Sequence, residues 1–356
     1  MKGGKNLLPG RILIKLCIFE VKCLNMKKTP TFGVIGGGSW ATAIVKMLSE
    51  NLEEINWYMR SKTAITHLKT HYHNPNYLSS VEFNINQLKL SNDINEVVER
   101  SDYIIFAIPS AFVKQELDKL SLPLKDKVIF SAIKGIVPET SLIVGEHFNL
   151  EYGVADENFG VITGPCHAEE VALERLSYLT IACPDEKKAK IMAAHLQSDY
   201  ITCKTSDDVT GTEYAAMLKN IYAIAAGIAH GLGYGDNFQS VLMSNAIREM
   251  KKFIKKVHKM KRNINDSAYL GDLLVTGYSV FSRNRMFGNM IGKGYTVKSA
   301  QMEMSMVAEG YYATEGAYKI NLEKGAKTPI INAVYAILYE GKNPKKIFKK
   351  LAEKLD

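Results

Sequence analysis

The chain has 356 residues, of which 46% are hydrophobic and 23% charged, and its formal net charge is +8. This composition is typical of a globular protein long enough for two domains. No apolar run approaches the roughly 20 residues that cross a bilayer, so stable membrane insertion is not expected. The five cysteines show no Cys-x-x-Cys spacing, which argues against a disulfide framework or a zinc site and favours a cytoplasmic location.

Much of the excess positive charge lies in two late segments, residues 251–262 and 342–356. The first continues a helical pattern in which Ile247, Met250 and Ile254 recur at spacings of three and four, so its lysines are predicted to form a solvated face. No base-reading motif accompanies them, and nucleic acid is not expected as a partner. A nucleic-acid or membrane-surface protein remains an alternative, which a steep salt dependence of binding would support.

Residues 1–26 carry no motif and no clear signal peptide, and we interpret them as a disordered extension or a mis-called start, with Met26 as a plausible true start. Residues 27–205 then alternate apolar runs with helical patterns, which predicts an α/β domain with a mostly parallel, doubly wound sheet. The predicted strands are "TFGVIG", "INWYM", "SDYIIFAIP", "KVIFSAIKG", "NFGVITGP", "YLTIACP" and "DYITCKT". The predicted helices are 39–50, 111–121, 138–148 and 186–197.

The pattern changes near residue 205, and residues 206–356 are predicted to form an all-α domain. It contains no convincing strand and no internal repeat. The predicted helices there are 210–231, 239–260, 266–275 and 297–323.

The segment "TFGVIGGGSWATAIVKML" places three glycines between the first strand and the first helix. Gly36 permits a tight turn, Gly38 allows a pyrophosphate to approach the backbone, and Ala41 supplies a small residue at the helix–strand contact. The pyrophosphate would lie against the helix N-terminus. These features favour dinucleotide binding over a purely structural turn. After the second strand, Arg60 stands where an NAD-selective site has an acid, so NADP(H) is favoured, with NAD(H) as the alternative.

Several polar residues occur where the predicted fold would bring a ligand. Lys219 and Asn220 interrupt a strongly apolar helix, so the lysine must be paired, face a polar cavity, or extend to the surface. Burial would lower its pKa and suit it to acid–base chemistry. Lys134 follows a predicted strand, and Asp272 begins an apolar helix at a cap-like position. "SRNR" supplies Arg283 and Asn284 as donors suited to a phosphate.

From about residue 31 to its C-terminus, the sequence resembles the bacterial NAD(P)-dependent glycerol-3-phosphate dehydrogenases. The resemblance rests on motifs in the family's order: "GVIGGGSWATA", "SAIKG", "TGPCHAEE", "LKNIYAIAAGI", "YLGDLLVT", "SRNRMFG" and "VAEGY". It implies interconversion of dihydroxyacetone phosphate and sn-glycerol 3-phosphate, which supplies phospholipid synthesis. The implied fold is a Rossmann domain followed by a helical domain like that of 6-phosphogluconate dehydrogenase. A homodimer without a metal is also expected.

The resemblance also implies roles for individual residues. Lys219 is the proton acceptor, and we add Asp272 and Asn220 to it as candidate catalytic residues. The implied substrate contacts are Lys134, Gly164, Cys166, Lys219, Asp272, Ser282, Arg283 and Asn284. The implied cofactor contacts are Ser39, Trp40, Arg60, Lys134, Ala168, Arg283, Val307 and Glu309. The turn glycines Gly36 and Gly38 are added to them as cofactor-binding residues.

Three departures from the family pattern stand out. Ala41 replaces the third glycine of the turn, Cys166-His167 replaces a hydroxyl residue and a phenylalanine, and residues 1–26 have no counterpart. A thiol is a weaker hydrogen-bond donor than a hydroxyl, so Cys166 contacts substrate either weakly through its side chain or through its backbone. Two rivals remain: another dehydrogenase of this build, such as a ketopantoate reductase, and a silent nucleotide-binding protein. The "LKN" and "SRNRMFG" motifs count against the first, and the presence of both Lys219 and Asp272 counts against the second.

Overall fold

The computed structural model of the protein describes residues 29–304 and 308–356. The predicted extension, residues 1–26, and the predicted cofactor residue Val307 therefore lie outside the described residues. The structure has a sheet with covering helices, followed by a helical domain. The last strand ends at Ser206, the first helix of the second part begins at Val209, and the described residues after Ser206 contain no strand.

Eight strands form one sheet and two short strands form a separate hairpin. In chain order the strands are β1 (Phe32–Ile35), β2 (Ile55–Tyr58), β3 (Leu88–Ser91), β4 (Tyr103–Phe106), β5 (Val128–Ser131), β6 (Ile136–Val137), β7 (Leu142–Ile143), β8 (Phe159–Thr163), β9 (Ser177–Ala182) and β10 (Ile201–Ser206). The sheet order is β3-β2-β1-β4-β5-β8-β9-β10. The first six of these are mutually parallel, whereas β9 is antiparallel to β8 and parallel to β10.

Helices cover both faces of this sheet. They are α1 (Ser39–Ser49), α2 (Lys62–His71), α3 (Ile94–Glu99), α4 (Val113–Leu117), α5 (Val144–Tyr152), α6 (Ala168–Ala172) and α7 (Glu186–Leu196). Alternate residues of β1 enter different cores: Phe32 and Val34 pack with α1, α2 and α7, while Ile35 packs with α3, α4 and α5. Since strands buried on both faces must be apolar throughout, this explains the continuous apolar runs in the sequence.

The second domain is built around α8 (Val209–Gly231), which is buried from Gly211 to Ala229. The helices that follow are α9 (Asp236–Val257), α10 (Asp272–Tyr278), α11 (Arg283–Gly292), α12 (Val297–Glu303), α13 (Gly310–Lys324), α14 (Pro329–Leu338) and α15 (Pro344–Ala352). A π-helical turn, Ser267–Gly271, leads directly into α10. Their apolar side chains form one core with α8. The predicted fold class, a doubly wound α/β domain followed by an all-α domain, is confirmed.

Glycines allow α8 and α11 to cross at very short range. A Cβ added at Gly227 would lie 2.1 Å from the carbonyl oxygen of Arg285, and one at Gly288 would lie 2.1 Å from that of Ile224. Gly231 and Gly292 are just as restricted, each with a backbone oxygen 2.4 Å from the added carbon. The crossing therefore holds the N-terminal end of α11 against the middle of α8.

Several predicted elements need correction. Strand β3 and helices α2, α3 and α6 were not predicted, because they are short or lack a continuous apolar pattern. The predicted helix 138–148 is wrong in its first half, where the chain forms the β6–β7 hairpin before α5 begins at Val144. The predicted helix 297–323 is two helices, since α12 ends at Glu303 and α13 begins at Gly310. Helix α9 ends at Val257, earlier than predicted, and its terminal lysines Lys255 and Lys256 are exposed as expected.

Candidate active site

A cleft of about 870 Å³ lies between the carboxyl edge of the sheet and the helical domain. On the sheet side it is lined by residues that follow β1, β4, β5 and β8, including Gly38, Pro109, Lys134 and Cys166. Strands β2 and β3 extend the sheet to one side of β1, whereas β4 and β5 extend it to the other. The strand order therefore reverses between β1 and β4, and open α/β sheets bind ligands at such a point. Helices α8, α10, α11 and α13 supply the opposite wall.

The glycine turn is held in place by side chains from outside it. Gly36 has a φ of +137°, and a Cβ there would lie 2.4 Å from the carbonyl oxygen of Ala107, so the position requires glycine. The indole Nε1 of Trp57 donates to the Gly36 carbonyl at 2.7 Å, and the Nδ2 of Asn74 donates to the Gly37 carbonyl at 3.1 Å. Gly38 precedes α1, and a Cβ there would meet no heavy atom of the described chain within 4 Å.

The N-terminus of α1 is suited to an anion. Within the described residues, no side chain caps it, and its first turn contains no acidic residue. Its free N–H groups and the positive end of the helix dipole therefore remain available to a phosphate. The indole Nε1 of Trp40 is also buried here without a hydrogen-bond partner in the described part of the chain. The turn thus fits a dinucleotide pyrophosphate, and the fully buried Ala41 fits at the helix–strand contact.

Lys219 and Asp272 form a buried ion pair in the cleft. Their side chains are 3% and 2% exposed, and the Lys219 ammonium donates to Oδ2 of Asp272. The Thr163 hydroxyl donates to the same oxygen at 3.4 Å. Burial lowers the pKa of Lys219 to about 8, with Asp272 acting against this shift and Lys134 adding to it. A lysine with this pKa gains and loses a proton readily near neutral pH.

Two amide side chains and two backbone groups form a series of hydrogen bonds beside this pair, and one of these bonds joins the two domains. Asn220 donates to the backbone carbonyl of Lys134 at 2.9 Å, and its own carbonyl accepts from Asn284 at 2.9 Å. Asn284 in turn accepts from the backbone N–H of Gly310 at 2.8 Å. Because these bonds occupy the polar atoms of Asn220, the geometry fits a positioning role for it better than proton transfer.

Three charged residues, Arg283, Glu309 and Lys134, also line the cleft. Arg283 is the first residue of α11, and the Ser282 hydroxyl caps that helix by accepting from the N–H of Arg285 at 3.3 Å. Glu309 accepts from the backbone N–H of Ser110 at 3.2 Å. Burial raises the pKa of Glu309, and Arg283 opposes the shift. The ammonium of Lys134 lies 4.9 Å from the ring centroid of Trp40, within cation–π range.

Cys166 and His167, which both depart from the family pattern, line the cleft. Cys166 is 3% exposed, and burial raises the pKa of its thiol to about 12, against an opposing effect of Lys134. The thiol therefore stays neutral at physiological pH. Burial lowers the pKa of His167 to about 4, an effect to which the nearby Lys134 and Lys219 charges add.

The structure brings most of the predicted site residues into this one cleft. Those that line it are Gly38, Ser39, Trp40, Lys134, Cys166, Ala168, Lys219, Asn220, Asp272, Ser282, Arg283, Asn284 and Glu309. Gly36 and Gly164 do not line it, since both lie in buried backbone turns with positive φ. Arg60 does not line it either: its side chain is 67% exposed, and its Nη1 lies 3.7 Å from Oε1 of Glu116.

Sequence reasoning missed three residues that contribute to the site: Asn74, Thr163 and His167. Asn74 and Thr163 act through the glycine turn and Asp272, and no local pattern marks such long-range contacts. His167 could have been selected, because it lies beside Cys166 in the motif "TGPCHAEE".

Among residues 29–304 and 308–356, we find no cluster of metal-ligating side chains arranged to hold an ion. No helix of those residues is long and apolar enough to span a membrane.

Comparison with known proteins agrees with this site. The N-terminal model of NAD-dependent glycerol-3-phosphate dehydrogenase matches residues 31–189, and the C-terminal model matches residues 208–349. The glycerol-3-phosphate dehydrogenase (NAD(P)+) of Macrococcus caseolyticus is 34% identical over 86% of this chain and 93% of its own. That of an Exiguobacterium species is 35% identical over 89% and 94%. The crystal structure of the Coxiella burnetii enzyme aligns with a TM-score of 0.83 at 26% identity, covering 91% of this chain and 99% of that one. The chain therefore belongs to the NAD(P)-dependent glycerol-3-phosphate dehydrogenase family.

Proposed function

We propose that this chain interconverts sn-glycerol 3-phosphate and dihydroxyacetone phosphate by hydride transfer with NAD(P)(H), and that it favours NADP(H). As a member of the family, it is a glycerol-3-phosphate dehydrogenase that serves phospholipid metabolism. The observation that carries the proposal is the buried Lys219–Asp272 pair, which shares one cleft with a glycine turn suited to a pyrophosphate.

Lys219 is the group we assign to proton transfer. Bound NAD(P)H supplies the hydride that reaches the carbonyl carbon of the substrate. Lys219 donates a proton to the carbonyl oxygen during reduction and accepts one from the C2 hydroxyl during oxidation. Asp272 holds the lysine nitrogen in place, and Thr163 holds the oxygen of Asp272 that the lysine contacts.

The substrate phosphate would lie near the start of α11. Arg283 supplies a guanidinium suited to a phosphate, and Lys134 adds a second positive charge. Asn284 retains a second amide hydrogen beyond the one donated to Asn220. Ser282 and Cys166 add a hydroxyl and a neutral thiol to the wall, and the backbone at Gly164 and Cys166 is a further source of contacts. These groups would fix the carbinol carbon beside Lys219.

The cofactor would occupy the glycine-turn side of the cleft. Gly36 shapes the turn, while Gly38, Ser39 and the N-terminus of α1 meet the pyrophosphate. Trp40, Ala168 and Glu309 line the adjoining wall, and Val307 is proposed from the resemblance alone. Arg60, just beyond β2, would bind the 2′-phosphate of NADP(H), and it supports that preference because no acid takes its place.

The cellular setting is also a proposal. Cys166, Cys183 and Cys203, the cysteines of the described chain, form no disulfides, which is consistent with a cytoplasmic location. A homodimer is expected from the family resemblance, and sedimentation equilibrium of the full chain would test it. The proposed partners are a phosphorylated triose and the nucleotide, not nucleic acid or a membrane.

The deciding experiment is an assay of dihydroxyacetone phosphate reduction by the full chain, with NADPH and NADH measured side by side. It is repeated with Lys219→Met, which keeps the apolar stem of the side chain and removes the transferable proton. Removal of a general acid typically slows a reaction by about a hundred- to ten-thousand-fold. We therefore expect a collapsed turnover number and a NADPH dissociation constant within a few-fold of the unaltered protein.

Lys188→Met is the matched control, since Lys188 is a partly buried lysine of α7 whose nitrogen bonds Asn158 and the Glu157 carbonyl, away from the cleft. Its turnover should be unchanged. If the unaltered protein binds nucleotide but reduces nothing, it is a silent binding protein. If folded Lys219→Met turns over within a few-fold of the unaltered enzyme, another group moves the proton.

A further inference from the structure

His167 lines the cleft between Cys166 and Ala168, and the mechanism above gives it no role. Burial lowers the pKa of its imidazole, and the backbone of Val275 acts in the opposite direction. The Nε2 atom is shielded from solvent and has no partner in the described chain.

A neutral imidazole carries one N–H and one lone pair. In the tautomer that is protonated at Nδ1, the lone pair lies on Nε2, which is then an acceptor. Burial and the nearby charges of Lys134 and Lys219 keep the ring neutral at physiological pH, since they lower its pKa to about 4. A buried acceptor without a partner costs free energy, and a ligand in the cleft would supply the missing donor.

The proposed substrate has one group that needs such an acceptor. Dihydroxyacetone phosphate carries a C1 hydroxyl, a C2 carbonyl and a C3 phosphate, and the last two are met by Lys219 and the Arg283 region. Those neighbours are donors, and a hydroxyl hydrogen needs an acceptor. The contacted oxygen of Asp272 already accepts from Lys219 and Thr163. Glu309 likewise accepts from Ser110.

We propose that Nε2 of His167 accepts a hydrogen bond from the C1 hydroxyl of the triose phosphate, so that His167 is a substrate-positioning and specificity-determining residue. The inference rests on the proposed function. The phenylalanine of the family pattern offers no acceptor at this position, so this chain selects for the hydroxymethyl group by a contact of its own. Phe281, whose ring centroid lies 6.3 Å from that of His167 and which is 46% exposed, borders the route to the ring.

The test compares two substrates, dihydroxyacetone phosphate and hydroxyacetone phosphate, in which a methyl group replaces the hydroxymethyl group. The unaltered enzyme should favour the first in kcat/KM, and His167→Phe should reduce this preference by about ten-fold, the loss expected for one substrate hydrogen bond. Its NADPH dissociation constant and melting temperature should stay close to those of the unaltered enzyme. His167→Gln, which keeps an acceptor, should retain most of the preference.

His195→Phe is the control, because His195 is also partly buried and bonds a backbone carbonyl, that of Ile191 at 2.7 Å, without lining the cleft. Its substrate preference should be unchanged. If the unaltered enzyme does not reduce dihydroxyacetone phosphate, the proposed function fails and this inference fails with it. If the enzyme is active and His167→Phe keeps its preference, only this inference is overturned.

A second measurement uses the unaltered protein, in case His167→Phe does not fold. In the protein labelled with ¹⁵N-histidine, the unprotonated Nε2 resonance of His167 should move when glycerol 3-phosphate binds to the NADP⁺ complex, because a lone pair that accepts a hydrogen bond changes its shielding. An Nε2 signal that stays unchanged at saturating ligand would overturn the inference.

Discussion

Two opposing influences set the proton affinity of Lys219. Burial lowers its pKa to about 8, while the adjacent carboxylate of Asp272 raises it. The two directions of the proposed reaction need different forms of this residue, since reduction consumes a proton from the ammonium and oxidation needs the neutral amine. The direction of the pH dependence should therefore distinguish the two reactions.

We predict that kcat/KM for dihydroxyacetone phosphate falls as pH rises through about 8, and that kcat/KM for glycerol 3-phosphate rises over the same interval. Asp272→Asn removes the group that holds the proton on Lys219, so both breaks should move to lower pH. Initial rates at saturating cofactor between pH 6 and 10 would check this. Profiles that change in the same direction for both reactions would contradict the assignment.

We proposed that Arg60 determines the choice of cofactor. If so, Arg60→Asp should shift kcat/KM from NADPH toward NADH by at least about ten-fold, the loss expected for one hydrogen bond to a charged group. The fold should survive, because the buried Glu116 keeps its bonds from Tyr58 and Lys119, each 2.7 Å long. Arg100→Asp is the control, since Arg100 is also exposed and faces an acid, Glu96. An unchanged cofactor ratio in Arg60→Asp would place the 2′-phosphate elsewhere.

A functional residue can be recognised from the sequence when its side chain differs in polarity from the residues around it. Lys219 stands out because a charge within an apolar helix needs a partner, and Asp272 proved to be that partner. His167 and Thr163 do not conflict with their surroundings in sequence. Thr163 contributes through its bond to Asp272, 109 residues away along the chain, and His167 contributes through its place in the cleft wall.

At the scale of elements, the crossing of α8 and α11 decides whether the site assembles. Lys219 and Asn220 belong to α8, whereas Arg283 and Asn284 begin α11. The glycines at the crossing bring the helix backbones close enough for Asn284 to bond Asn220 at 2.9 Å. Both "GIAHG" in α8 and "GNMIG" in α11 place two glycines four residues apart, on one helix face.

We predict that Gly288→Ala destabilises the protein by about 1–3 kcal/mol or more, because the new methyl group would overlap the Ile224 carbonyl. Separation of the helices should also weaken the Asn284–Asn220 contact and lower turnover. Gly271→Ala is the control for stability: Gly271 has helical φ and ψ, and its added carbon would lie 3.4 Å from the nearest atom. Equal melting temperatures for the two variants would show that the crossing tolerates a wider spacing.

The elements of the α/β domain that sequence reasoning missed lack strong periodicity. Strand β3, "LKLS", has only two apolar residues, and its place is set by pairing with β2 at the sheet edge. The first part of the predicted helix 138–148 instead belongs to the β6–β7 hairpin, where Ser141 has a positive φ. In contrast, the long apolar run of α8 and the strands of the sheet centre are visible in the sequence because burial on all sides demands apolar residues.

At the scale of the whole molecule, two buried carboxyl groups connect distant segments. Glu213 of α8 accepts from the N–H of Gly145 at 3.1 Å, which ties the helical domain to the start of α5. Glu249 of α9 accepts from the N–H groups of Ile330 and Ile331 at 2.8 and 3.0 Å, at the start of α14. Burial raises the pKa of each to about 8, although the N–H groups act in the opposite direction.

These two groups should make the protein less stable as pH rises from 6.5 to 8. Their pKa in the unfolded chain is 4.5, so in this interval the folded state holds protons that the unfolded state has released. Each group then lowers the unfolding free energy by up to about 1.4 kcal/mol per pH unit. His167, with its lowered pKa, has the opposite effect, but only below pH 6.5. Lys219 has the opposite effect only above about pH 8.

The measurement is urea unfolding of the full chain at several pH values between 6.5 and 8. Glu249→Gln and Glu213→Gln should each remove about half of the slope, because an amide takes up no proton on folding, whereas the exposed Glu82→Gln should leave it unchanged. A stability that rises with pH across this interval would mean that both carboxyl groups are ionised in the folded protein. The helix N-termini would then outweigh burial, and the two pairs of segments would be held together by charge–dipole attraction.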